Sequence, residues 1–164
     1  MNQRMSYLVI AHAMAVLFVG LIAGVFLIFA LLEGVGLWPM PILDIQVPGS
    51  ARGWQAAHVG GILNAVMIAV LVWVAKVVSP TEKGARWTGW ILIITGWGNT
   101  LFYWAGNFSA NRGLSVTDTP FGAGDIWGAL AYLGGGAAMF ALFVGVWILG
   151  LAALRKYRVS GTDM

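Results

Sequence analysis

Four long apolar stretches dominate this chain and leave it little choice of solvent. They run from about residue 7 to 32, 54 to 78, 87 to 108 and 126 to 154. Each approaches or exceeds the roughly 20 residues that a helix needs to cross bilayer hydrocarbon. Only 9% of the 164 residues are charged, against about 25% in a soluble domain, so the polar surface is too small to face water. Inside hydrocarbon every backbone N–H and C=O must be bonded within the chain, which makes spanning segments of this length helical. The expected fold is all-α: a single-domain, integral membrane four-helix bundle.

Lysine and arginine orient that bundle. Arg4, Lys76, Lys83, Arg86, Arg155, Lys156 and Arg158 fall on one side of it, and only Arg52 and Arg112 on the other. This positive-inside bias predicts that both termini are cytoplasmic. Trp38, Trp54, Trp87 and Trp127 lie near segment ends, as an interfacial aromatic belt would. The first segment is too long for a secretory signal, and its small-x-small site at Ala11-His12-Ala13 precedes most of the apolar run, so it reads as a retained helix. Two Gly/Pro-punctuated connections, 33–53 and 110–125, face outward as caps or lids. The inner turn at 79–86 is short and makes the second and third helices antiparallel neighbours.

Several functions are disfavoured at once. The chain has no cysteine, so disulfides, thiolate metal sites, iron–sulfur clusters and a cysteine nucleophile are ruled out. No basic stripe interleaved with aromatics suggests nucleic acid. Glu33, Asp44, Asp118 and Asp125 belong to loops or helix ends, whereas a proton or cation pump places a carboxylate in the membrane.

The chemistry must therefore come from a few polar side chains in apolar helices. His58 and Asn64 sit in GWQAAHVGGILNAVMIAVLVWVAK, where an unpartnered polar group is expensive. His58 can bond a neighbouring helix's carbonyl or ligate something flat and wide, with Gly60 and Gly61 giving either tight helix packing or room beside the imidazole. In the third segment Thr95, Asn99, Tyr103 and Asn107 recur every four residues and so share one slowly drifting helix face. Such a stripe either bonds helix to helix or lines a cavity, and four in register favour a cavity. His12 reads as an interfacial or helix-bonded histidine. Gly134-Gly135-Gly136 lies inside an apolar segment without a preceding strand, so it permits close helix contact rather than forming a phosphate loop. One histidine, neutral hydrogen-bonding groups and many aromatics suit a bound cofactor that brings the chemistry with it.

The stretches AAHVGGILNAV at 56–66 and GNTLFYWAGNFSANRG at 98–113 carry a resemblance to the bacterial styrene oxide isomerases, and it extends over essentially the whole chain. That resemblance implies a multi-pass protein of the bacterial inner membrane. It further implies a homotrimer with ferric haem b between subunits, and His58 as the axial iron ligand. Tyr103 and Asn64, with Asn107 as a third candidate, would hold an apolar aryl epoxide beside the open iron face, leaving Asn99 without a role. Arg52 and Arg112 are then the nearest cations for haem propionates, or simply snorkelling residues. Phe102, Trp104 and Phe108 could steady a benzylic cation or face lipid. The main alternative is a haem-binding membrane subunit of an electron-transfer complex, which would not need the Asn99–Tyr103–Asn107 stripe; a small channel with the stripe as its pore is a further one.

Overall fold

The computed structural model describes residues 1–160 as four helices. They are α1 (Gln3–Leu31), α2 (Ala51–Val78), α3 (Glu82–Phe108) and α4 (Ile126–Ser160). Polar caps, rather than the edge of the apolar run, set three of the starts, which is why α1, α2 and α3 begin three to five residues before the hydropathy change. Asn2, Ser50 and Thr81 each accept a backbone N–H of the first turn with their side-chain oxygen, from Met5, Gly53 and Gly84. The α2 helix stops at Ser79, whose left-handed backbone (φ 49°) ends the ladder. No strand occurs among the described residues; the loops carry only the isolated bridges Val35 to Leu43 and Thr119 to Gly122.

Helices α1, α2 and α4 are long and apolar enough to cross a membrane. Helix α3 does not join them, because glycines, threonines, asparagines and amphipathic aromatics dilute its apolar run. The four elements do not close into a ring. Helix α1 lies on α2, α2 on α3 and α3 on α4, while α1 and α4 do not meet. Large apolar side chains point away from the helix contacts: Phe18 and Ile28 on α1, Leu63 and Trp73 on α2, Phe140 and Trp147 on α4. Surfaces of that size and character belong against lipid or a second subunit.

Between the helices the buried side chains are small, because close van der Waals contact holds helices together where lipid is as apolar as leucine. At the α1–α2 crossing a Cβ built on Gly61 would lie 2.6 Å from the Gly20 Cα, so only glycine allows the approach. Toward the end of the bundle that carries the termini, the inner end of the expected topology, the core is Val9, Ala13, Ile68, Val72, Leu92 and Ile93. Toward the outer side it is aromatic, with Trp54 at its centre. Trp54 stacks on Phe26 at 4.7 Å and meets Trp104 and Phe108 edge-on. This corrects the expectation of an interfacial Trp54: the ring is 1% exposed, and only its N–H reaches outward, to the Pro48 carbonyl at 2.9 Å. Trp38, Trp87 and Trp127 are exposed, as a belt requires.

Candidate functional site

The four-residue stripe on α3 meets α2 in successive rungs. Antiparallel helices present matching faces, so each step of four down α3 reaches a new turn of α2. At the outer end the Asn107 Oδ1 accepts from the backbone N–H of Ser50 (2.9 Å) and from its hydroxyl (3.2 Å). The next rung sets the Tyr103 ring against Gly60, where a Cβ would strike the ring. One turn further in, the Asn99 amide donates to the Asn64 Oδ1 at 2.9 Å. Thr95 turns instead to α4, its hydroxyl 3.4 Å from the Ala138 carbonyl. Thr95 is fully buried, so it bonds helix to helix and lines no cavity. The other three do line clefts.

Two clefts share Tyr103 and Phe102 as a common wall. One, of about 640 Å³, lies between α3 and α4 at mid-helix and is walled by Asn99, Leu133, Gly136 and Phe140. The other, of about 430 Å³, opens at the outer end and brings together Arg52, Arg112, Asn107 and Ser50. The arginines thus share one cleft despite lying 60 residues apart in sequence. Arg112 sits in the left-handed region (φ 61°) with its guanidinium 4.5 Å over the Phe121 ring. Of the three aromatics considered for a cation, only Phe102 belongs to these clefts. Trp104 and Phe108 face the Trp54 cluster.

His58 lies elsewhere on α2. It is six residues from Asn64, roughly 120° around the helix, and its ring faces α1 while Asn64 and Gly60 face α3. The imidazole fits against Gly24, where a Cβ would be 2.6 Å from Nδ1. That Nδ1 lies 2.9 Å from the Gly20 carbonyl oxygen. A carbonyl only accepts, so Nδ1 carries the proton and Nε2 keeps its lone pair. The reading of His58 as bonded to a neighbouring helix's carbonyl is thereby met, and that bond does not use Nε2. The room beside the imidazole comes from Gly24, while Gly20 lets α1 approach α2; Gly60 and Gly61 receive Tyr103 and α1. The GLIAG spacing at 20–24 was the signal for it, a small-xxx-small pair. His12 is bonded to α3: its Nδ1 accepts from the Trp97 indole N–H at 3.0 Å.

Two donors in this region have no partner. The Nδ2 atoms of Asn64 and Asn107 are buried and unbonded, in a setting where such a group costs about 1–3 kcal/mol. Among the described residues no cluster of three or more His, Asp or Glu could hold a metal ion. A metal here would rest on one histidine and on whatever ligands it brought with it.

Above the site the second outer loop is wired by Asn111, which sequence reading passed over, and by Asp125, which it placed only as a loop or helix-end carboxylate. Asn111 is fully buried; its amide donates to the Ser115 and Thr117 carbonyls and accepts from Ser109 and the Gly113 N–H. Asp125 caps α4, accepting from the backbone N–H of Gly128 (2.6 Å) and of Ala110 (2.8 Å). These bonds, Gly128's first, hold its carboxyl below the ordinary range.

The family described as styrene oxide isomerase matches residues 5–154. A styrene-oxide isomerase of Pseudomonas fluorescens is 40% identical over 148 residues, covering 81% of this chain and 85% of the relative.

Proposed function

The chain belongs to the styrene oxide isomerase family, and from that membership we propose that this isomerase rearranges styrene oxide to phenylacetaldehyde, using ferric haem b held by His58. The observation that carries the reading is the pairing of a histidine whose free nitrogen is dictated by the Gly20 carbonyl with a buried, unanswered amide donor on Asn64. Both fit such a group: the nitrogen can bind a metal, and the donor an oxygen. A backbone carbonyl on the far nitrogen is the usual outer-shell partner of a metal-bound histidine. Ferric haem at His58 would supply an electron-poor open position able to polarise an ether oxygen without redox change.

The remaining work falls to this chain's own side chains. As the benzylic C–O bond breaks, charge grows on oxygen, and the Tyr103 hydroxyl and the Asn64 Nδ2 are the donors that stabilise it. Positive charge appears on the benzylic carbon, a hydride migrates to it from the terminal carbon, and the C–O bond becomes a carbonyl. Atoms and electrons balance with no water and no electron donor. Water would intercept the cation and give a diol, so the apolar walls of the α3–α4 cleft, Leu133 and Phe140 among them, protect the product. That cleft lies at mid-helix and is walled largely by apolar side chains, which suits entry of an apolar aryl epoxide from the bilayer. Arg52 and Arg112 at the outer cleft provide the cationic edge for the propionates.

The placement of His58 and Asn64 on different sides of α2 supports a homotrimer with haem between subunits. One chain presents its ligand toward α1 and its oxygen donors toward α3, so a ring of copies can set one copy's histidine opposite the next copy's donors. The setting that suits the chain is the bacterial inner membrane, crossed several times, with both termini on the cytoplasmic side where the basic residues gather.

The deciding experiment is turnover of styrene oxide by purified protein without reductant, read by gas chromatography beside an absorption spectrum. Phenylacetaldehyde from a ferric haem protein, suppressed by dithionite, is the expected result. A diol product, or a ferrous form faster than the ferric, would sink the mechanism.

A further inference from the structure

On the α3 face Asn99 has no part in that chemistry. Asn99 is half-buried and its amide donates to the Asn64 Oδ1 across the α2–α3 contact at 2.9 Å. An asparagine amide has two ends of nearly equal shape and opposite character, and half a turn exchanges donor for acceptor. Only a neighbour that distinguishes the ends decides which one a ligand meets. Asn99 presents N–H to the oxygen end of Asn64, so the nitrogen end is the one left buried without a partner, on a residue 6% exposed. Inverting Asn64 would set two NH₂ groups against each other and aim a carbonyl at an oxygen gaining negative charge. The rungs on either side, Gly60 with Tyr103 and Ile68 with Gly96, bring no second amide to the contact.

Resting on the reading of Asn64 as donor to the substrate oxygen, we propose that Asn99 is a positioning residue that fixes the Asn64 amide with its NH₂ toward that oxygen. Its own place on the wall of the α3–α4 cleft offers a competing role, direct contact with the substrate. A double-mutant cycle separates the two.

The cycle uses purified enzyme with its native cofactor content and the variants Asn99→Leu, Asn64→Ala and the pair. Leucine keeps the branched, four-heavy-atom outline of asparagine and removes the donor. Two inert probes are titrated by calorimetry: acetophenone, an aryl ring with an oxygen acceptor, and toluene, the ring alone. Asn99→Leu should weaken acetophenone by about 10-fold and leave toluene unchanged. In the Asn64→Ala background the same change should be worth under about 2-fold, because the residue it positions is gone. An equal loss in both backgrounds, or undiminished acetophenone affinity, overturns the positioning role. If Asn64→Ala itself leaves acetophenone affinity and styrene oxide turnover intact, the donor reading of Asn64 falls first and this role with it. Loss of toluene binding would mean that leucine has damaged the fold, and Asn99→Ala then takes its place in the same cycle.

Discussion

Placing a methyl group at Gly24 tests the link between helix packing and cofactor affinity. In Gly24→Ala the new Cβ would stand 2.6 Å from the His58 Nδ1 and 2.8 Å from its Cε1. Restoring ordinary contact needs a shift of about 0.8 Å, taken by the imidazole because the two helix backbones already touch at Gly20 and Gly61. That shift breaks or bends the 2.9 Å bond to the Gly20 carbonyl. The stability terms oppose one another. Overpacking costs about 1–3 kcal/mol and the hydrogen bond about 0.5–1.5 kcal/mol, while alanine returns up to ~1 kcal/mol of helix propensity. A net loss of about 2 kcal/mol lowers Tm by roughly 4–8 °C in a chain of this size, so the protein should remain folded at room temperature. Haem affinity should respond more strongly, since losing the orienting partner of a metal-bound histidine weakens binding about 10–100-fold. Haem titration of reconstituted protein, followed by absorbance, and a thermal melt read the two effects. Gly150→Ala is the control, because a Cβ there meets nothing within 4 Å. A folded Gly24→Ala with unchanged haem affinity would refute the proposal that the Gly20–His58 bond sets up the ligand.

Other perturbations separate the remaining roles. Tyr103→Phe keeps the ring against Gly60 and removes the hydroxyl, so haem content should persist while turnover drops on the order of 10²-fold; an unchanged rate would make Tyr103 structural. His58→Ala should abolish the haem spectrum and His12→Ala leave it intact, since the Nδ1 of His12 already serves Trp97; a low-spin spectrum that becomes high-spin in His12→Ala would favour the electron-transfer alternative. Replacing Arg52 and Arg112 together by Gln should speed haem loss to an apo-globin acceptor, and full retention would leave them as snorkelling residues. Asp125 carries a folded pKa below its unfolded value of 3.8, so its contribution is complete above that pH and disappears as pH falls through the lower folded value. Hydrogen exchange in 109–125 should therefore quicken only below about pH 3.8, and Asp125→Asn should quicken it at neutral pH; no difference at neutral pH would mean that the cap does not hold the loop.

The amino-acid order alone determined the number of helices and three of their identities as spans, because an 18-residue apolar window needs no tertiary partner to reject water. It also exposed the residues proposed for the chemistry, since His58, Asn64 and the α3 stripe are conspicuous only for being polar where polarity is expensive. Periodicity placed Thr95, Asn99, Tyr103 and Asn107 on one face, but could not say what that face meets. The tertiary structure decided it rung by rung: Thr95 to α4, Asn99 to Asn64, Tyr103 to a glycine gap, Asn107 to the cap of α2. The same holds for direction around α2. Sequence spacing puts His58 and Asn64 on different sides of one helix, yet which neighbour stands on each side depends on how α1 and α3 pack. Trp54 shows the limit from the other end: near a segment boundary it looks interfacial, and only the crossing of three helices buries it among Phe26, Trp104 and Phe108. A helix knows its own period; the partner that completes a hydrogen bond arrives from elsewhere in the chain.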